Sequence, residues 1–129
     1  MDMTSRDLRS DADAVLVERI RTDCLWPSFA QVELVAFPMG AGTRISDDAG
    51  AARSAWMHGC DDQSAAEAIA TAALRFGLKV EGGAIYADVE EDEWRRSAEL
   101  AVANASAQAA YGALAAQPPV QQTSDLLPG

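Results

Sequence analysis

The chain has 129 residues and a formal net charge of −10, from 20 Asp and Glu against 10 Lys and Arg. This length suits one domain with a single core. Nucleic-acid-binding domains neutralise phosphates with clustered Lys and Arg, which are sparse here, and a negative surface repels acidic membranes. The composition therefore argues against nucleic acid and membranes as partners and favours a protein with a basic surface.

We predict a single globular domain over residues 1–117 and a flexible tail over residues 118–129. No stretch approaches the roughly 18 to 20 uncharged apolar residues of a membrane span. Asp2 and Asp7 stand where a signal peptide would be basic and then apolar. We therefore expect a cytoplasmic protein in which Cys24 and Cys60 are free thiols.

The first predicted helix runs from Ser10, a suitable N-cap, to Cys24. Its apolar residues recur at every fourth position, at Ala12, Leu16, Ile20 and Cys24. The next segment, Val32 to Phe37, is rich in Val, Leu and Phe, which predicts a strand that ends at Pro38. Residues 39–43 include two glycines and are predicted to form a loop.

Two helices are predicted next. The first begins at Ser46, with acidic residues at Asp47 and Asp48, and ends near Gly59. The second begins at a capping box, Ser64-Ala65-Ala66-Glu67, in which each side chain satisfies a free backbone N–H. It is predicted to end at Gly77.

A β-hairpin is predicted over Leu78–Glu81 and Ala84–Val89, because Gly82-Gly83 tolerates the positive φ angles of a two-residue turn. This turn places Val80 opposite Ile85. A long helix is predicted from Glu90 to Gln117, before two prolines. The predicted fold is therefore α+β and mostly helical, in the order α-β-α-α-β-β-α with a small hairpin and a long C-terminal helix.

Residues Ser46 to Phe76, followed by the segment Gly77 to Tyr86, resemble the helix-turn-helix and wing of a winged-helix domain, here with an added C-terminal helix. The resemblance covers about residues 10–89. It implies DNA contacts on the exposed face of the third helix and at the hairpin tip. Those positions hold Glu67, Thr71, Arg75, Glu81 and two glycines. One arginine cannot neutralise a duplex, so the departure from the family puts DNA binding in doubt.

His58, Cys60 and Cys24 are the only candidates for metal or nucleophile chemistry. Structural zinc takes four ligands in paired spacings, which this sequence does not offer. We therefore predict no metal, no cofactor and no catalytic residues. We expect His58 to lie near a helix C-terminus, where the helix dipole favours a cation. We expect both cysteines to pack in the core as small apolar side chains.

The densest acidic run is Glu90, Glu91, Asp92 and Glu93. It has two interpretations. Acidic residues stabilise the start of a helix through the helix dipole, and they can also dock a basic surface of a partner. Both remain open from the sequence.

The long helix has two apolar sides. At 100° per residue, Leu100, Tyr111 and Leu114 share one side, whereas Val102 and Ala109 lie on the opposite side. A helix that packs only on its own domain needs one apolar stripe, so the second stripe predicts contact with a second copy or a different protein. An alanine-rich face exposed to solvent is the alternative, because alanine is the best helix former.

We expect a non-enzymatic, acidic protein-binding module of the inhibitor, immunity, anti-defence or adaptor type, bacterial or phage in style. Its partner is another protein with a basic surface, and we also expect a homo-oligomer. The predicted partner-binding residues are Glu90, Glu91, Asp92, Glu93, Leu100, Tyr111 and Leu114.

Two alternatives stay open. The first is a dimeric winged-helix transcriptional regulator, for which a positive patch would have to form from Arg44, Arg53, Arg75 and Lys79. The second is a secretion-type chaperone, which is similar in size and acidity, although the predicted elements lack the several-stranded sheet expected there. An enzyme would require Cys24, His58 and Cys60 to converge.

Overall fold

The computed structural model describes residues 17–116. Within this range the elements follow the order β-β-β-α-α-β-β-α, with one 3₁₀ turn before the last helix. The strands are β1 Glu18–Leu25, β2 Gln31–Met39, β3 Gly42–Ser46, β4 Lys79–Glu81 and β5 Ala84–Val89. The helices are α1 Gly50–Met57, α2 Asp62–Arg75 and α3 Arg95–Ala115.

The strands form one antiparallel sheet in the order β1-β2-β3-β5-β4, so the β4–β5 hairpin joins the first three strands through β3. Alternate residues of β2, β3 and β5 face α3 and form a core with it, because side chains on a strand point to opposite faces in turn. This core contains Val32, Leu34, Ala36, Ile45, Val89, Val102 and Ala103.

A second core lies between the helices and the start of β5. Most of its members are alanines, whose small side chains allow the three helices to approach closely. They pack around Ile69 of α2 and Ile85 of β5. Alanine therefore contributes close packing here, and the sheet provides most of the large buried side chains.

The predicted order α-β-α-α-β-β-α is wrong, because strands replace the first helix and part of a loop. Residues 18–24 of the predicted helix Ser10–Cys24 belong to β1. A four-residue spacing fits a strand as well as a helix, since Ile20, Thr22 and Cys24 are half-buried and the residues between them are exposed. The first part of that predicted helix, residues 10–16, lies outside the described residues.

The predicted loop over residues 39–43 is also wrong, because only Gly40-Ala41 forms the turn and β3 begins at Gly42. Gly42 is needed for close packing, since a Cβ there would overlap the carbonyl of Val89 on β5. The predicted strand Val32–Phe37 is confirmed within β2, but Pro38 does not end it and pairs with Thr43.

The helix starts differ from the predictions. Ser46 is the last residue of β3, and α1 begins only at Gly50. The capping box at Ser64 is wrong, because α2 begins at Asp62 and the carboxylate of Asp61 accepts the Ser64 N–H at 2.7 Å. Gly77, with φ +69°, follows the C-cap of α2, so the predicted stop is confirmed.

The predicted hairpin is confirmed, with Val80 opposite Ile85 and positive φ at Gly82 and Gly83. The long helix is shorter than predicted: α3 follows a 3₁₀ turn at Asp92–Trp94. Gln117 and the predicted tail over residues 118–129 lie outside the described residues.

A buried carboxylate connects four parts of the fold. Asp47 is fully buried, and its Oδ1 accepts the N–H groups of Ala49 at 3.0 Å and Ile85 at 2.9 Å. Its Oδ2 accepts the Ala51 N–H at 3.2 Å and the Ser106 hydroxyl at 2.7 Å. Burial raises the pKa of Asp47, and these four hydrogen bonds oppose the shift.

Ser106 extends this network to the β1–β2 loop, because its Oγ accepts the indole N–H of Trp26 at 3.0 Å. The Trp26 ring in turn occupies the space beside Gly50, where a Cβ would overlap it. The network therefore joins that loop, the β3–α1 turn, β5 and α3.

Replacing Asp47 by Asn should destabilise the fold strongly. The amide group would aim a donor at N–H groups that now donate to a carboxylate, so we expect the free energy of unfolding to fall by about 2 to 4 kcal/mol. Asp48→Asn is the matched control, since Asp48 is exposed and should change it by less than about 0.5 kcal/mol. Urea unfolding followed by tryptophan fluorescence measures both, and equal effects would contradict a special role for Asp47.

Candidate functional site

A cavity of about 450 Å³ lies where the chain leaves β5 and turns into α3. Its apolar lining consists of Leu78, Ala87, Val89, Trp94 and Ala98. Its polar lining consists of Asp88, Glu90, Glu91 and Ser97. We call this cavity the acidic groove. Most of the lining residues come from β5, from the turn that follows it and from the first residues of α3.

The 3₁₀ turn places Trp94 at the groove. Asp92 and Glu93 lie in the first turn of this short helix, and Glu91 precedes it without a side-chain capping bond. Their position at a helix start agrees with the interpretation of the acidic run as a helix-start signal. The turn leaves Trp94 57% exposed.

The four acidic residues of the run, 90–93, are all exposed. Within residues 17–116 none of their carboxylates forms an ion pair, whereas those of Glu18, Glu33 and Glu99 do. Arg95, which follows the run, is turned away from it towards Glu18 at 2.7 Å and Glu99 at 2.9 Å. The negative charge at the groove is therefore not neutralised by the neighbouring arginine.

Asp88 differs from the other carboxylates at the groove. Arg44 on β3 binds it through two hydrogen bonds, Nε to Oδ1 at 2.8 Å and Nη2 to Oδ2 at 3.0 Å. Arg44 also binds Glu81 at 3.1 Å and lies over the ring of Tyr86. These contacts raise the pKa of Arg44 and lower that of Asp88. The charge available to a ligand therefore comes from Glu90 and Glu91.

The remaining predicted residues lie on the outer face of α3, which we define by Leu100, Tyr111 and Leu114. Leu100 is 51% exposed and Tyr111 is 47% exposed, whereas Val102 and Ala109 on the opposite side are buried. A helix rises 1.5 Å per residue, so Tyr111 lies about 25 Å from Trp94 along the helix axis. The seven predicted partner-binding residues therefore fall into two surfaces, and the structure does not bring them to one site.

The candidates for enzyme chemistry lie in different environments. Cys60 packs with Ala55 and Ala113, and burial raises the pKa of its thiol, which disfavours the reactive thiolate. Cys24 is half-buried and packs against the core between the sheet and α3. His58 makes a hydrogen bond of 2.9 Å from its Nδ1 to the carbonyl of Ser54. Across residues 17–116, no group of three or more His, Cys, Asp or Glu side chains is placed to hold a metal ion.

Sequence reasoning missed Trp94, Leu78 and Val89 as parts of one surface. Leu78 precedes β4, Val89 ends β5 and Trp94 follows it, so only the sheet pairing brings Leu78 to the other two. The sequence feature that could have pointed to this surface is the acidic run, residues 90–93, which directly precedes Trp94.

Comparison with protein-family models, with curated proteins and with solved structures finds no significant match to this chain. The winged-helix resemblance is therefore untested by these comparisons and stays a prediction. In the part of the chain that the structure describes, no helix is both long enough and apolar enough to cross a membrane.

The Arg44–Asp88 pair should stabilise the fold fully above about pH 4 and progressively less as the pH falls further. Because Arg44 lowers the pKa of folded Asp88, its stabilising effect is complete above the unfolded pKa and is lost as the pH falls through the folded pKa. We expect Asp88→Asn to lower the free energy of unfolding at pH 7 by less than about 1 kcal/mol, since solvent screens the pair. Urea titrations at decreasing pH should show this difference disappear; a difference that grows in acid would contradict the assignment.

Proposed function

We propose that this chain is a non-enzymatic protein-binding module of the inhibitor, immunity, anti-defence or adaptor type. Its acidic groove would bind a partner segment that carries basic and apolar side chains together. The observation that supports this proposal is the exposed ring of Trp94 beside Glu90 and Glu91, whose carboxylates have no ion pair within residues 17–116.

The chemistry of the groove suits such a segment. Burial of apolar area against Leu78, Val89 and Trp94 would provide most of the binding free energy, and tryptophan is a frequent centre of such interfaces. The unpaired carboxylates would attract Lys or Arg, and Trp94 can also contact a cation through its ring. A groove with both features selects against acidic segments and against purely apolar ones.

Enzyme function has less support, because Cys24 packs against one core cluster and Cys60 lies in another, while His58 is hydrogen-bonded to the backbone carbonyl of Ser54. The proposal therefore includes no metal, cofactor or catalytic residue. A cytoplasmic location belongs to the same proposal.

The DNA-binding alternative also has less support. It needs a positive patch that forms from Arg44, Arg53, Arg75 and Lys79. Arg44 is held by two carboxylates, Arg53 donates to the carbonyl of Asp48, and Arg75 donates to Gln108. These arginines are occupied by contacts within the chain, and an approaching phosphate would have to compete for them.

The secretion-type chaperone is the second candidate, and one observation favours it. The sequence alone lacked the several-stranded sheet expected for such a protein, whereas the structure contains a five-stranded antiparallel sheet. A chaperone would bind an extended segment of an unfolded partner. Binding of a linear peptide, but not of the same peptide constrained as a helix, would favour this candidate over an inhibitor of a folded protein.

A short synthetic peptide of alternating Lys and Leu tests the groove. We expect Glu90→Gln with Glu91→Gln to weaken binding at least about tenfold, and added salt to weaken wild-type binding, because charge attraction contributes to the complex. Isothermal titration calorimetry measures both effects.

The matched control is Asp62→Asn with Glu67→Gln, which removes the same charge from exposed positions of α2. Its binding should stay close to wild type. Equal weakening by both double variants would show that the peptide responds only to net charge, and no weakening by either would refute the groove as its binding site.

A further inference from the structure

A cavity of about 350 Å³ opens on the face of the sheet that is turned away from α3. Arg19 and Arg21 are alternate residues of β1, so both side chains lie on this face. Arg53 of α1 lines the same cavity. We call it the arginine cavity. It shares no lining residue with the acidic groove, so it is a separate surface of the molecule.

The arginines of this cavity are only partly neutralised. Arg19 and Arg21 share one carboxylate, that of Glu33, at the long distances of 3.8 Å and 3.4 Å. Arg53 donates an N–H to the backbone carbonyl of Asp48, which holds the side chain without neutralising its charge. The lining thus contains more arginines than carboxylates, in a chain that has 20 acidic and 10 basic residues. Most guanidinium N–H groups here have no acceptor within residues 17–116.

A mainly apolar pocket of about 160 Å³ adjoins the arginine cavity, since Trp26 and Arg53 line both. We call it the apolar pocket. The ring of Trp26 is held in place, because its indole N–H donates to Ser106 and the ring fills the space beside Gly50. Met57 also lines the pocket and is 71% exposed. A ring that entered the pocket would cover apolar area on both side chains.

The apolar pocket also contains a polar group without a partner. Ser54 lines the pocket and is 7% exposed, but its hydroxyl forms no hydrogen bond within residues 17–116. Buried polar groups normally have a partner, because their lost hydration is otherwise uncompensated. A ring with nitrogen or oxygen atoms at its edge would supply that partner. The pocket therefore suits a heterocycle better than a hydrocarbon ring.

The arginine cavity suits a phosphate group. Phosphate presents several acceptor oxygens, and guanidinium groups bind it through paired N–H donors. Arg19 and Arg21 already reach the single carboxylate of Glu33, so both can reach one phosphate at the same place. A single phosphate needs far fewer cations than a duplex, so the net charge of −10 that argues against DNA does not argue against this ligand.

We propose that the two adjoining cavities bind a nucleoside monophosphate. Its phosphate would lie at Arg19 and Arg21, with Arg53 adding positive charge, and its base would lie in the apolar pocket beside Trp26 and Ser54. Together the cavities fall within the usual size of ligand sites, roughly 300 to 1,000 Å³. This proposal does not rest on peptide binding at the acidic groove, because the two surfaces use different residues.

NMR titration of the full chain with the 5′-monophosphates of adenosine, guanosine, cytidine and uridine tests the site. We expect at least one of them to shift the indole N–H signal of Trp26 and to leave that of Trp94 in place. The matching nucleoside and ribose 5-phosphate should each bind at least about tenfold more weakly, because each lacks one half of the ligand. Binding by none of the four, or equal binding by ribose 5-phosphate, would overturn the proposal.

Charge variants test the phosphate position. Arg19→Gln with Arg21→Gln should weaken binding at least about tenfold. Arg75→Gln with Arg96→Gln is the matched control, since it removes the same charge from exposed positions of α2 and α3 and should bind like wild type. Glu33→Gln should strengthen binding, because it releases both arginines of β1 from their carboxylate. Equal weakening by the two double variants, or weaker binding in Glu33→Gln, would contradict the assignment.

Ser54→Ala tests the base position separately. We expect it to weaken binding of the nucleoside monophosphate at least about threefold and to leave that of ribose 5-phosphate unchanged. Urea unfolding should show a stability no lower than that of wild type, because the substitution removes a hydroxyl that has no partner in the described chain. Unchanged binding of the nucleoside monophosphate in a folded Ser54→Ala variant would refute the placement of the base.

Discussion

The arrangement of this fold depends on the carboxylate of Asp47. It lies in the turn between β3 and α1, and it accepts hydrogen bonds from that turn, from β5 and from Ser106 on α3. A buried charge is costly unless donors surround it, and here four donors do so. Because the turn, β5 and α3 each supply a donor to the same carboxylate, these hydrogen bonds fix the position of the turn relative to β5 and α3.

This arrangement determines which charges remain available at the surface. Arg44 and Arg95 bind carboxylates that the sheet and α3 bring near them, including Asp88, Glu18 and Glu99. The acidic residues 90–93 lie in the connection between β5 and α3, where no cation of the described chain reaches them. Four of the 20 acidic residues of the chain thus lie together, without an ion pair in the described part of the chain, beside an exposed aromatic ring.

Local chemistry was sufficient to predict some elements. Two adjacent glycines determine the register of the β4–β5 hairpin, and Gly77 ends α2, because both effects act within a few residues. The strands β1 and β3 could not be predicted in this way. The spacing of Ile20 and Cys24 suits both a helix and a strand, and Gly42 is explained only by its distant neighbour Val89. The acidic run was visible in the sequence. The apolar side chains of Leu78, Val89 and Trp94, however, come together at the groove only through the pairing of the strands.

The three tryptophans provide the most direct test of the acidic groove as the binding surface. Trp94 lies in the groove, Trp56 is 72% exposed on α1, and the indole of Trp26 is bonded to Ser106. Their indole N–H signals can be followed separately by NMR while the Lys–Leu peptide is added. We predict that the Trp94 signal shifts in proportion to binding while the other two stay in place. A shift at Trp56 without one at Trp94 would contradict the account.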